Sequence, residues 1–227
     1  MRYFFFAGIL IFLILIGKNL WALSADKSLT ILALGDSTTA GTPAFLSPAE
    51  SPPRGEGDEK SQYAYWITQK HPAWKVLNRG VRSQRSDQIL WRFKRELSVS
   101  TPDVVIVLAG VNDLYQEYSA EHVKEMLKKI YDFAVEKKAR VMACTILPYN
   151  SSTPEIKQRI SEVNDWIRLY AKEHQFLFCD TSSLLEDPKN PGNLIGTPDG
   201  LHPDVEGYRK MGEAIAAILT NAFSASP

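Results

Sequence analysis

The sequence predicts an α/β protein built as a three-layer α/β/α sandwich around a five-stranded parallel sheet. Five short apolar runs recur along the chain, at residues 29–34, 74–78, 103–108, 140–147 and 176–179. The runs are continuous rather than alternating, as expected for strands that helices cover on both faces of a sheet. Segments of helical periodicity separate them, and this alternation favours parallel strands joined by right-handed crossovers.

Three of the helices between and after the strands have readable starts. Ser119 can cap a helix in which apolar residues recur every three or four positions. Thr153 followed by Pro154 opens a second helix, because proline is well tolerated in the first helical turn. A third helix, with apolar residues on one side, begins near Asp204. Each therefore has a face that can cover the predicted sheet.

The N-terminal region differs in composition from the rest of the chain. A basic Met1-Arg2 start precedes an uninterrupted apolar run at 3–17, and small residues follow before Asp26. This run is shorter than the roughly 20 residues that a typical membrane span needs, and its flanks suit a secretory signal. We therefore expect a signal peptide or an N-terminal membrane anchor at 1–25 and a single domain at 26–227. The domain is then exported, to the periplasm or the cell exterior, with a membrane tether where the leader is retained.

Charge and cysteine content narrow the function classes. The 26 Lys and Arg residues balance the 26 Asp and Glu residues, so no net field favours nucleic acid or an anionic membrane surface. A small-molecule ligand is expected. Cys144 and Cys179 are too few for a metal site and lie in predicted strands, which favours buried free thiols over a disulfide. No metal or cofactor is expected.

One segment, 42–62, has no periodicity. It contains four prolines, two glycines and charges of both signs, and it follows the first polar motif directly. Unstructured connections of about 20 residues are uncommon in compact domains. The segment is either a lid or specificity loop, or a flexible surface insertion.

Polar motifs follow the ends of the predicted strands. "GDST" follows the first strand, "NRGVRSQRS" at 78–86 follows the second, and "AGVND" at 109–113 follows the third. A fourth motif, "PDGLHPD" at 198–204, precedes the last helix. Because ligands of open parallel sheets bind at the carboxyl ends of the strands, these motifs are expected to meet at one edge.

Together the motifs supply the groups that acyl transfer requires. Ser37 offers a nucleophilic hydroxyl, His202 a base, and Asp199 a carboxylate three residues away that can orient the imidazole. Donors for the developing oxyanion are the backbone N–H groups of Ser37 and of the loop after the second strand, with the side-chain amide of Asn112. This chemistry needs no metal.

At these residues the chain resembles the SGNH, or GDSL, hydrolase family. The matching motifs are "GDS" at 35–37, "GVND" at 110–113 and "DGLHP" at 199–203, in the family's order. The resemblance implies a flavodoxin-like sheet of strand order 2-1-3-4-5. It also implies a Ser37 nucleophile, with Asp199 and His202, that hydrolyses esters through an acyl-enzyme.

The second motif departs from the family pattern. Family members usually carry a second glycine there, which donates its N–H to the oxyanion, and in this chain Ser83 occupies that position. Serine can serve if its backbone conformation is unstrained, since only the N–H is needed. The alternative is that Gly80 shifts the register of the loop.

The sequence favours an exported serine esterase acting on a short-chain ester, an O-acetylated carbohydrate or a lysophospholipid. An acyltransferase would use the same three groups and pass the acyl unit to an alcohol instead of water. A third reading is a flavodoxin-like module whose Ser37, Thr38 and Thr39 cradle a phosphate or nucleotide. That reading leaves Asp199 and His202 without a role.

Overall fold

The computed structural model of the protein describes residues 28–42, 45–46, 48–97 and 101–224. The expected leader at 1–25 lies outside these residues. Within them, none of the helices combines the length and hydrophobicity that a membrane crossing requires.

Five strands form one sheet, and every neighbouring pair of them is parallel. Their order is β2-β1-β3-β4-β5, which confirms the order that the family resemblance implied. The strands are β1 (Thr30–Gly35), β2 (Lys75–Gly80), β3 (Val104–Leu108), β4 (Arg140–Cys144) and β5 (Leu177–Cys179). The central strand β3 is buried along its whole length, as its continuous apolar sequence predicts.

Helices cover both faces of the sheet, which confirms the three-layer sandwich. They are α1 (Ser37–Ala40), α2 (Tyr63–Lys70), α3 (Ser86–Glu96), α4 (Val111–Tyr115), α5 (Ala120–Glu136), α6 (Pro154–Glu173), α7 (Thr181–Leu185) and α8 (Val205–Ser224). Apolar residues of α3, α5 and α6 pack on one face of the sheet. Those of α2 and α8 pack on the other. The short helices α1 and α4 directly follow β1 and β3 at the carboxyl edge.

The two predicted capping residues cap their helices. The Ser119 hydroxyl accepts the N–H of His122 at 3.2 Å, and α5 begins at the next residue. The Thr153 hydroxyl accepts the N–H of Ile156 at 3.4 Å at the start of α6. Each bond satisfies a backbone donor that has no partner within the helix.

Strand β4 ends at Cys144, three residues before the apolar run does. The reason is the buried Asn164 of α6. Its Oδ1 accepts the N–H of Ile146 at 2.7 Å, and its Nδ2 donates to the carbonyl of Ile146 at 2.9 Å. One side-chain amide thus replaces the sheet partner, and the chain leaves the sheet towards the carboxyl edge.

The two cysteines are free and buried, as the sequence favoured. Cys144 and Cys179 are register partners on β4 and β5. The hydrogen bond between the two thiols and their burial raise the pKa of Cys144 well above its usual value. The Cys144 thiol is therefore a protonated core group.

Candidate active site

Ser37 is the first residue of α1, and only Asp36 separates it from the end of β1. Asp36 caps this helix, with its Oδ1 accepting the N–H of Thr38 at 2.9 Å. The helix stops after four residues at Gly41, whose φ of 102° favours glycine. This strand-to-helix turn holds the Ser37 side chain at the carboxyl edge of the sheet, 9% exposed.

His202 and Asp199 approach Ser37 from the other end of the chain. The Nε2 atom of His202 lies 2.8 Å from the Oγ of Ser37, across 165 residues of sequence. The Nδ1 atom of His202 lies 2.7 Å from the Oδ2 of Asp199. Because an ionised carboxylate can only accept, Nδ1 carries the proton and Nε2 is left to accept the Ser37 hydroxyl. The structure therefore brings the three predicted residues into one hydrogen-bonded row.

The Asp199 carboxylate is held in its ionised form. Its Oδ1 accepts the N–H of Leu201 at 2.9 Å and the N–H of His202 at 2.8 Å. Partial burial raises the pKa of Asp199, but the bonds from the His202 ring and the two N–H groups outweigh it and lower the pKa to about 2. A negative charge therefore faces the imidazole at every pH where the protein would work.

Asn150, which the sequence did not single out, anchors the connection that carries Asp199. Its N–H donates to the carbonyl of Gly200 at 2.7 Å, and its Oδ1 accepts the N–H of Leu194 at 2.7 Å. Gly200 has a φ of 78°, a conformation that glycine adopts readily. The segment after β4 thus fixes the loop that presents the base.

The third motif is tied to the second. The side-chain Nδ2 of Asn112 donates one hydrogen bond to the carbonyl of Gln84 at 2.9 Å. An amide nitrogen carries two hydrogens, so a second donor remains for a ligand. Next to it, the fully buried Asp113 accepts both the N–H of Ser86 at 2.9 Å and its hydroxyl at 2.6 Å. The start of α4 is therefore fastened to the loop that follows β2.

Ser83 has a left-handed backbone, with a φ of 60°. Ser83 therefore does not have the unstrained conformation that was the condition for its role, because side chains with a Cβ pay about 1 to 2 kcal/mol in that region. The family resemblance implied a glycine at this position, and Ser83 has a glycine-like conformation there.

Gly80 does not take the place of Ser83 in the loop. It is the last residue of β2, and a Cβ on it would lie 1.9 Å from the backbone nitrogen of Ala40 in α1. Gly80 therefore allows β2 and α1 to approach, and the alternative register of the loop is not the one observed.

Burial raises the pKa of the Asp36 carboxyl to about 7. The N–H of Thr38 opposes this shift, and the charge of Asp113 adds to it. Asp36 therefore titrates near neutral pH directly beneath Ser37.

A small cavity of about 10 Å³ lies at the carboxyl ends of β1, β3 and β4, and Ser37, His202 and Asp199 do not line it. Its walls are mostly apolar and include chain neighbours of Ser37, Asn112 and His202: Asp36, Thr38, Leu108, Ala109, Val111, Ile146, Leu147 and Leu201. A larger cavity of about 370 Å³ lies between α6 and α7, and none of the three row residues lines it.

Aromatic side chains stand next to the site. Tyr115, three residues after Asn112 on α4, is 61% exposed, and its ring centroid lies 6.0 Å from that of the buried Tyr149.

In the described part of the chain, no three His, Cys, Asp or Glu side chains are grouped to hold a metal ion.

A serine, a histidine and an aspartate in this order of hydrogen bonds form the arrangement used by serine-dependent acyl-transfer enzymes. The model of the GDSL-like lipase/acylhydrolase family matches residues 33–210. The chain belongs to this family.

Solved structures with the same fold support this assignment. A protein of the lipolytic G-D-S-L family from Desulfitobacterium hafniense is 26% identical with a TM-score of 0.68, covering 84% of this chain and 99% of that one. A GDSL-like lipase from Bacteroides thetaiotaomicron is 22% identical with a TM-score of 0.65, covering 92% and 96% of the two chains.

A curated relative is the N-acylneuraminate cytidylyltransferase of Escherichia coli. It is 24% identical over 163 residues, which is 70% of this chain and 38% of that protein. The match therefore spans well under half of the relative's length.

Proposed function

We propose that the protein is a serine esterase that hydrolyses carboxylic esters through an acyl-Ser37 intermediate. One observation carries the proposal: the unbroken row of hydrogen bonds from Ser37 Oγ to His202 Nε2 and from His202 Nδ1 to Asp199 Oδ2, at 2.8 and 2.7 Å.

Acylation begins with the transfer of the Ser37 proton to Nε2 of His202. The Oγ atom attacks the ester carbonyl carbon, and the carbonyl oxygen becomes an oxyanion. Asp199 stabilises the imidazolium without taking its proton. When the tetrahedral intermediate collapses, the C–O bond to the alcohol breaks, and Nε2 gives its proton to the departing alcohol.

Deacylation repeats these steps with water. His202 removes a proton from water, the resulting hydroxide adds to the acyl carbon, and the ester bond to Ser37 breaks. The proton returns to Oγ, and the carboxylic acid leaves.

We assign the oxyanion donors to the N–H groups of Ser37 and Ser83 and to the Asn112 amide. The free hydrogen on the Asn112 Nδ2 supports its assignment, because the other hydrogen is already bonded to Gln84. Each such donor contributes about 3 to 4 kcal/mol to transition-state stabilisation in well-studied hydrolases.

The surroundings of the site favour an acetyl group on a carbohydrate as the substrate. The cavity at the strand ends, of about 10 Å³, leaves no room for a long acyl chain, which favours a short acyl group. The exposed ring of Tyr115 offers an apolar surface for a sugar ring. The name of the curated relative refers to a sugar, N-acylneuraminate, and this supports the carbohydrate part of the substrate but not its ester bond.

We propose further that residues 1–25 direct the domain out of the cytoplasm. Their basic start and apolar run support this proposal. N-terminal sequencing of protein recovered from fractionated cells tests it. A domain found in the cytoplasm with the leader intact would contradict it.

Covalent labelling tests the esterase proposal. A fluorophosphonate should label the wild-type protein on Ser37, and Ser37→Ala should lose both labelling and at least 10³-fold in ester hydrolysis. Ser28→Ala, an exposed serine before β1, serves as the control and should label normally. Nitrophenyl esters from acetate to palmitate should give the highest kcat/KM at acetate. Wild-type hydrolysis by Ser37→Ala would overturn the proposal.

A further inference from the structure

The segment at 42–62 contacts the loop after β2 through Glu50 and Arg82. The Oε1 atom of Glu50 accepts the backbone N–H of Arg82 at 3.2 Å and lies 3.4 Å from its Nε. The Glu50 side chain is 12% exposed. A carboxylate from a connection of irregular structure is thus largely buried against the backbone of another loop.

Arg82 extends this contact to α1. Its Nη2 donates to the carbonyl of Phe45 at 2.7 Å and to the carbonyl of Gly41 at 3.4 Å. Gly41 ends the helix that begins with Ser37. The Arg82 side chain therefore joins the segment at 42–62, the helix of the nucleophile and the loop after β2.

The position of Arg82 in the chain gives these contacts a catalytic meaning. Arg82 directly precedes Ser83, whose backbone is held in the left-handed region. On the other side of Ser83, the carbonyl of Gln84 accepts the Asn112 amide. The strained residue is thus fixed from both sides, by Glu50 before it and by Asn112 after it, and strained backbone persists only where its surroundings hold it.

We propose that Glu50 is a positioning residue, which keeps the Ser83 N–H aimed at the oxyanion by holding the backbone of Arg82. This inference rests on the proposed function. It gives the segment at 42–62 a role that is neither a lid nor a passive insertion.

Arg82 has a second task in this arrangement. A carboxylate near a developing oxyanion repels it, and the guanidinium beside Glu50 compensates that charge. Removal of the Arg82 side chain takes away the guanidinium that faces the Glu50 carboxylate, whereas Glu50→Gln removes the negative charge itself. Arg82→Gln should therefore lower kcat more than Glu50→Gln.

Substitutions of Glu50 test the inference by steady-state kinetics with nitrophenyl acetate. Glu50→Ala should lower kcat by roughly 10- to 100-fold with KM changed less than about threefold, since a misplaced oxyanion donor acts on the transition state. Glu50→Gln should recover part of the loss, because its amide oxygen still accepts the Arg82 N–H. The rate of fluorophosphonate labelling should fall in parallel. Glu59→Ala removes the same charge from the same segment and should remain at the wild-type rate.

A second background makes the test specific for Ser83. Glycine adopts the left-handed conformation without strain, so in Ser83→Gly the loop has no strain to release when Glu50 is removed. In the Ser83→Gly background, Glu50→Ala should lower log kcat by less than half as much as it does in the wild type. Equal losses in both backgrounds would show a general structural effect and overturn the inference.

Other outcomes also decide the matter. If Glu50→Ala equals Glu59→Ala, or raises KM alone, Glu50 does not position the oxyanion donor. If thermal melting shows that Glu50→Ala does not fold, the kcat values of Glu50→Gln and Arg82→Gln are compared instead. A kcat of Arg82→Gln that is not the lower of the two would overturn the inference. Wild-type hydrolysis by Ser37→Ala would refute the esterase itself. Loss of activity in Ser37→Ala with an unaffected Glu50→Ala would refute only the role of Glu50.

Discussion

The hydrogen bonds that Asp199 accepts serve two purposes. Its Oδ2 takes the bond from the His202 ring, and its Oδ1 takes the backbone bonds of Leu201 and His202. One oxygen therefore shapes the loop, and the other orients the base. Because the two roles belong to different oxygen atoms, a substitution can remove one role and keep the other.

Asp199→Asn should make that separation. The amide oxygen can keep the backbone bonds, but the amide nitrogen cannot accept from Nδ1, so the imidazole loses its productive tautomer. We expect kcat to fall by roughly 10³- to 10⁴-fold, with a Tm within a few degrees of wild type. Kinetics and circular dichroism check both parts. Asp187→Asn, whose contacts with Lys189 and Asn190 are local, is the control. Wild-type turnover in Asp199→Asn would remove Asp199 from the mechanism.

The backbone conformation of Ser83 could not be predicted from the sequence. The family pattern indicated Ser83 as the loop residue that stands where glycine is usual, but its left-handed φ could not be read from the residue type, since serine usually avoids that region. The conformation depends on the contact of the neighbouring Arg82 with Glu50, which lies 32 residues before Arg82 in an aperiodic segment. Contacts of this kind have no sequence period, whereas Asp199 and His202 are three residues apart in one loop.

Among the elements, α1 lies unusually close to the sheet. A Cβ on Gly35 would come within 2.1 Å of the Thr39 hydroxyl oxygen, and a Cβ on Gly80 within 1.9 Å of the Ala40 nitrogen. Both glycines are the last residues of neighbouring strands. The helix that carries Ser37 therefore rests directly on the ends of β1 and β2.

Gly80→Ala should displace this helix. The added methyl group meets backbone atoms of α1, which cannot rotate away, so overpacking should cost about 1 to 3 kcal/mol of stability and move Ser37 relative to His202. We expect a lower Tm and at least a tenfold lower kcat. Lys75→Ala, at the exposed start of the same strand, should leave both quantities near wild type. A fully active Gly80→Ala would show that α1 tolerates the shift.

The elements were predictable where a repeating pattern or a cap defined them. Ser119 and Thr153 marked the starts of α5 and α6 because a hydroxyl before an apolar periodic segment has one common use. The four- and five-residue helices α1 and α4 are too short to show a period. The end of β4 was also hidden, because it depends on the amide of Asn164 in another helix.

Across the whole molecule, two buried carboxyl groups lie below the active edge. Burial raises the pKa of Asp36 and of Asp113, although hydrogen bonds from Thr38 and Ser86 oppose the shifts. The folded state therefore holds a proton on Asp36 more strongly than the unfolded chain does. Its contribution to stability is complete below the unfolded pKa of 3.8 and is lost as the pH rises through about 7.

Asp36→Asn should therefore stabilise the protein at alkaline pH. Asparagine can still accept the Thr38 N–H but carries no charge to bury. The gain over wild type should be near zero at pH 4 and grow towards pH 8, up to about 4 kcal/mol for a shift of this size. Thermal melts across this range measure it, with the exposed Asp58→Asn as the control. A Tm difference that does not change with pH would contradict the assignment.

The fold class followed from the chain alone, and the strand order did not. Continuous apolar runs alternating with helices require a covered parallel sheet, but several strand orders satisfy right-handed crossovers. The order 2-1-3-4-5 came from the motifs "GDS", "GVND" and "DGLHP", which tied the chain to a family. Once the order is fixed, the ends of β1, β2 and β3 are neighbours, and the convergence of the site residues follows.

Cys144 and Cys179 offer a way to measure how often β4 and β5, at the far edge of the sheet, separate. Because both thiols are buried on paired strands, a short pulse of maleimide can modify them only when β4 and β5 separate. The mass of the intact chain then counts openings of that edge in steps of one or two adducts. Because this measurement needs no substrate, it can compare the opening of the sheet edge in active and inactive variants.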